Sequence, residues 1–158
     1  MDKKQKTSKI DSDFFEYVIL FNCLTDETYM GTVVEYLKPD LFSSKDVQSI
    51  VGIIKDYFNK RSCVPSLTEV KTYLTTEDLK SSFKRLVEQF KTLEKANNKQ
   101  ELLENTERFI KEKTVFNTML EVTDMCTKAD VIDTNLVLRS EEHTSELQSQ
   151  FRISYAVF

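Results

Sequence analysis

Residues 100–127 read QELLENTERFIKEKTVFNTMLEVTDMCT. Within that stretch Leu102, Leu103, Phe109, Ile110, Val115, Phe116, Met119, Leu120, Val122 and Cys126 recur largely at three- and four-residue spacings, which gather side chains along one side of an α-helix. A helix from about Gln100 to Thr127 is roughly twice the usual length. Such a rod outruns a compact bundle. Its distal half needs a partner helix, either further along the chain or in another subunit.

Working outward, the rest of the chain reads as a succession of shorter amphipathic helices. Ser12 or Asp13 is placed to cap a helix through Phe14, Phe15, Val18, Ile19 and Leu20 to Leu24. Asp26 caps a second through Tyr29, Met30, Val33, Val34 and Leu37, ended by Pro39, which drives residue 38 off helical dihedrals. Leu41 and Phe42 form a short anchor. Ser44 starts a third helix whose Val47, Ile50, Val51, Ile54, Tyr57 and Phe58 line one face, the clearest core helix of the chain. Ser66 and Glu69 make a capping-box pair opening a short helix from Leu67 to about Leu74. Thr76, followed by Glu77 and Asp78, opens the next, with the stripe Leu79, Phe83, Leu86, Val87, Phe90 and Leu93. Asn97 and Asn98 then break the pattern before the rod. Lys128 to Asp130 reads as a turn and Val131 to Leu138 as the start of a returning helix.

Composition agrees with an all-α protein. Two glycines (Gly31, Gly52) and two prolines (Pro39, Pro65) are too few for a sheet with tight turns. The glycine spacing excludes a Walker A loop and a dinucleotide fingerprint in this stretch of chain. Length allows one sizeable core. No segment has the form of a signal peptide or a membrane span, so the expectation is a cytoplasmic protein with no membrane contact. Cys23, Cys63 and Cys126 are far apart, read as reduced small hydrophobes, and suggest neither a disulfide framework nor a metal site. A net charge of −4 gives no footprint for whole-surface nucleic-acid binding.

The end of the chain has a different character. From Arg139 through Ser149 the residues Arg-Ser-Glu-Glu-His-Thr-Ser-Glu-Leu-Gln-Ser match, codon by codon, a sequencing adapter in translation, and Ile153 to Phe158 resembles the adapter's continuation. The expected organisation is a flexible, Lys-rich arm at 1–11, a helical globular subdomain at 12–98, and the first helix and start of the second helix of a hairpin at 99–138, truncated by a non-native tail at 139–158. The single histidine, His143, falls in that tail. The preceding residues therefore offer no His-based general base, triad or metal site, and the natural chain is expected to continue past Leu138.

Several strings in this arrangement resemble the N-terminal domain of DnaB-type hexameric replicative DNA helicases, most nearly the gene 41-type branch of large tailed phages. Leu37-Lys38-Pro39-Asp40-Leu41-Phe42 is similar to that family's approach to its central helix, where a Phe precedes a capped helix with aliphatics at Ile50, Val51 and Ile54. Val64-Pro65-Ser66 resembles the phage branch. Glu107-Arg108-Phe109-Ile110, with Lys113 and Val115-Phe116-Asn117, resembles the family's hairpin helix. The likeness spans about residues 13 to 138, departs from cellular members where Val47 replaces an early His, and includes no catalytic string.

The resemblance implies that the parent protein is an ATP-dependent 5′ to 3′ helicase, with ATP and Mg²⁺ bound in a motor domain absent from this chain and single-stranded DNA passing through the ring. This domain would be the non-catalytic collar, pairing hairpins between subunits of a hexamer and offering a surface to primase and to a helicase loader. Its candidate interface residues are Phe109, Phe116, Met119, Thr123 and Cys126, at spacings that suit a hairpin seam; an ordinary intramolecular core is the competing reading, strongest for Phe109. An alternative function is a free-standing helical adaptor, such as a helicase loader or DNA-binding regulator. Lys55, Lys60 and Arg61, or Lys80, Lys84, Arg85 and Lys91, could touch phosphates, although solvated helix faces explain them more simply. Glu101 and Glu104 lie one turn apart with no cleft to perturb them. Phe83, Phe90 and Tyr57 fall on buried stripes and not on a base-stacking surface.

Overall fold

The computed structural model describes residues 11–128; the readings for the arm before Asp11, for the returning helix and for the tail lie outside them. Among the described residues there are six α-helices, one 3-10 turn and no strand. The order is α1 (Ser12–Thr25), α2 (Glu27–Val33), the 3-10 turn (Pro39–Leu41), α3 (Lys45–Arg61), α4 (Leu67–Thr72), α5 (Glu77–Phe90) and α6 (Lys99–Lys128). The chain is all-α, a compact bundle followed by one long helix.

Local chemistry starts each helix. Asp26 accepts the Tyr29 N–H at 3.1 Å to cap α2, and Thr76 accepts the Leu79 N–H at 3.3 Å to cap α5. Asn98, which breaks the apolar pattern, opens α6, its side chain accepting the Glu101 N–H at 3.2 Å. Two local expectations need correction. The cap of α1 is Asp11, which accepts the Asp13 N–H, in place of the expected Ser12 or Asp13. Helix α2 ends at Val33, ahead of Pro39, and Val34 to Tyr36 form turns that bury Val34, Tyr36 and Leu37. Ser44 stands at the N-cap of α3, where the sequence starts that helix, although its side chain makes no cap bond. At the other end of α3, Ser62 takes the left-handed conformation (φ 54°) and its N–H closes on the Phe58 carbonyl.

The capping box of α4 forms as the sequence indicates. Glu69 accepts from the Ser66 N–H and hydroxyl, each at 2.8 Å, while Ser66 accepts the Glu69 N–H at 3.2 Å. The other Glu69 oxygen accepts from the Tyr57 hydroxyl at 2.7 Å, which ties α4 to α3. Donation by the Ser66 N–H, and then by Tyr57, lowers the Glu69 pKa to about 2; the same bond raises Tyr57 to about 12. The signs are opposite. A depressed acid stabilises the fold above its ordinary value of 4.5, and that contribution disappears as pH falls toward 2. A raised phenol contributes below its ordinary value of 10 and loses that contribution as pH rises through about 12. Glu69→Gln is therefore expected to flatten the fall in melting temperature below pH 4.5, and thermal melts from acid to neutral pH would show whether it does.

The core joins all of these elements. Ile19, Leu20 and Cys23 of α1, Met30 and Val33 of α2, Ile50, Val51 and Ile54 of α3, Val70 of α4, and Phe83 and Leu86 of α5 are almost wholly enclosed. Helix α3 packs against the 3-10 turn, α4 and α5, while α1 packs against α2 and α5. Phe21 and Phe90 meet edge to face at 5.7 Å. Burial pushes the Cys23 thiol far up, which keeps it neutral and inert. Leu102, Phe109 and Ile110 of α6 belong to the same core.

Candidate functional site

Helix α6 has two halves with different surroundings. In the first, Leu102, Thr106, Phe109 and Ile110 are buried at the spacing of one helix face. Phe109 lies between Phe15 and Phe42, with ring centroids 5.8 Å and 6.1 Å away. Thr106 and Tyr29 hydrogen-bond through their hydroxyls at 2.8 Å inside the core, which satisfies a polar group that would be costly to bury alone. Lys99 reaches Asp26 at 2.8 Å and holds that carboxyl below its usual range, joining the start of α6 to the cap of α2.

A polar junction sets the direction in which α6 leaves the globule. Glu16 of α1, nearly buried, accepts from the Ser43 N–H at 3.1 Å and from the Ser43 hydroxyl. Lys113 stands 3.6 Å from the same carboxylate and 5.6 Å above the Phe109 ring. One turn further on, Asn117 donates to the Asp40 carbonyl at 2.9 Å. A buried carboxylate such as Glu16 is tolerated only with such partners, because it has lost its water, while Lys113 stays partly exposed. The side chains come from α1, the loop after the 3-10 turn, and α6.

Past this junction the apolar stripe runs on uncovered. Val115 is 40% exposed, Phe116 58%, Met119 65% and Leu120 53%. These four, with Thr123 and Cys126, fall within roughly 140° of the helix circumference at 100° per residue, whereas the exposed Met125 lies opposite Phe116. Phe109 and Phe116 are two turns apart on the same face. One is core and the other bare.

The five residues read as an interface are thus divided. Phe109 is a core residue, as the competing reading allowed. Phe116 and Met119 are exposed together on the free half. Thr123 is exposed beside them, its hydroxyl donating to the Met119 carbonyl at 2.7 Å, and Cys126 is half-buried with a free thiol. Val115 and Leu120 belong to the same exposed surface, although the sequence reading did not name them among the interface residues. The other sequence candidates are dispersed. Lys55 donates to the Leu37 carbonyl at 3.1 Å, Arg61 lies 5.1 Å over the Tyr57 ring, and Glu104 accepts from Gln100. Phe83, Phe90 and Tyr57 are buried.

Among the described residues no three His, Cys, Asp or Glu side chains are grouped to hold a metal ion, and no helix is long and apolar enough to cross a membrane. No protein-family model matches the chain, and no curated protein matches it.

Proposed function

We propose that this chain is the N-terminal collar of a DnaB-type hexameric replicative DNA helicase of a tailed phage, acting in the host cytoplasm. In this reading it assembles subunits through helical hairpins and presents a docking surface to primase and to a loader. Unwinding, with its ATP and Mg²⁺, belongs to a motor domain elsewhere in the parent protein, whose ring encloses single-stranded DNA.

One observation carries the proposal: α6 is anchored in the core over its first half and bare over its second. An exposed apolar surface rimmed by polar residues marks an association site in a soluble protein. Hairpin pairing buries such a stripe by seating side chains between those of a facing helix. The Glu16–Lys113 and Asn117–Asp40 contacts support the same reading, because they hold the rod at a set angle to the globule. A docking element benefits from arriving in its bound geometry.

Two experiments test the proposal. Sedimentation of the full chain over a wide concentration range should show reversible self-association. In the source genome, the reading frame that encodes these residues should go on to specify Gly-x-x-x-x-Gly-Lys followed by Ser or Thr, the phosphate-binding loop of a motor. A strictly monomeric chain together with a frame lacking that loop would replace the collar with a free-standing helical adaptor.

A further inference from the structure

A second surface, which includes no residue of α6, lies between α4 and α5. It is a groove of about 660 Å³ whose apolar lining is Leu67, Val87 and the buried Phe83. Four lysines line it: Lys71 from α4, Lys80 and Lys84 from α5, and Lys91 at the C-cap of α5. On α5 and its C-cap the positions Lys80, Lys84, Val87 and Lys91 are spaced four, three and four, so three cations and one apolar side chain share a single helix face. Arg85 is not among the lining residues; its guanidinium donates to Ser82 at 3.2 Å.

The charge of this groove opposes that of the chain. Glu77 pairs with Lys80 at 2.7 Å and Glu88 with Lys91 at 2.8 Å. Lys71 and Lys84 have no carboxylate at ion-pair distance among the described residues, so the lining keeps a positive excess on a protein of net charge −4. Leu67, in the lining, is 41% exposed. Cations beside an apolar lining suit a ligand that brings both carboxylates and apolar side chains. A phosphate backbone would use the lysines and leave the apolar lining uncovered.

We propose that the α4–α5 groove docks an acidic amphipathic peptide segment of another protein. The lysine stripe from Lys80 to Lys91 is about 16 Å long, which corresponds to roughly three helical turns of such a partner. Leu and Phe side chains of the segment fill the space over Leu67 and Val87, and its Glu or Asp side chains face Lys71 and Lys84. This inference does not depend on the helicase reading, since α6 takes no part in it.

The test uses the full chain and a fluorescein-labelled peptide of roughly four helical turns, with Leu and Phe on one face and Glu on the other. Fluorescence anisotropy should show saturable binding that weakens as salt is raised. Lys71→Glu with Lys84→Glu should weaken it about tenfold or more, as loss of close charge complementarity does. Both side chains are exposed, so circular dichroism of the double variant should match the parent. Leu67→Gln should weaken binding without changing its salt dependence. Equal binding of a Glu-rich peptide lacking Leu and Phe would overturn the proposal, as would indifference to the Lys substitutions. Tighter binding of a single-stranded oligonucleotide that is lost in the double variant would also overturn it and make the groove a phosphate-binding patch.

Discussion

Phe109→Ala is expected to remove about 3–5 kcal/mol of folding free energy, the usual cost of deleting a buried phenyl ring. The ring is 6% exposed and stands where α1, the segment after the 3-10 turn and α6 meet, against Phe15 and Phe42. Alanine leaves a cavity those rings cannot collapse into without moving helix backbones, so the cavity cost adds to the lost transfer energy. It also strips the aromatic face beneath Lys113. Against a typical stability of about 5–15 kcal/mol the loss is severe. Urea denaturation followed by circular dichroism measures it, with Phe116→Ala as the control. Phe116 is 58% exposed, and its truncation should stay within about 0.5 kcal/mol. Equal effects at the two positions would show that α6 is not anchored where Phe109 places it.

The second large effect concerns association. Replacing Phe116, Met119 and Leu120 together by glutamate is expected to weaken self-association of the full chain by at least about a hundredfold. Each side chain contributes roughly 1.5–3 kcal/mol when taken from water to a packed seam, and three carboxylates on one face would also repel those of a facing copy. Glutamate is a good helix former, and all three positions are exposed, so the fold should survive. Sedimentation equilibrium of parent and variant at matched concentrations gives the comparison. Unchanged association in the variant would move the interface off this face, and with it the main support for a collar.

Much of the local structure could be read from the residues themselves. Asp26, Ser66 with Glu69, and Thr76 start helices where their side chains reach backbone N–H groups two or three residues on, and that reach is a property of a short stretch. The length of α6 was legible for a similar reason, because periodicity persists along a helix whatever surrounds it. The early end of α2 was not. Its apolar pattern continues through Val34 and Leu37, and both are buried, but from a turn that leads the chain toward Pro39. Periodicity reports which side chains seek cover and not the backbone that brings them to it.

The same distinction governs the candidate sites. Phe109 and Phe116 stand seven residues apart on one helix face, and no local rule separates them. Glu16 falls in a stretch whose neighbours Phe15, Ile19 and Leu20 are core, and only Ser43 and Lys113, brought from distant parts of the chain, explain how an acid is accommodated there. Likewise Lys84 and Arg85 are adjacent in sequence, yet one lines the α4–α5 groove and the other donates to Ser82.

The amino-acid sequence alone thus determined that this chain is helical, where most of its helices start, and that its last described helix is too long for the bundle, since caps and apolar period act over a few residues. The tertiary structure alone decided which turns of that helix are covered, how its polar junction is assembled, and which cations share a groove. Those properties depend on distances between residues far apart in the chain, and such distances exist only once the core has closed around Phe109.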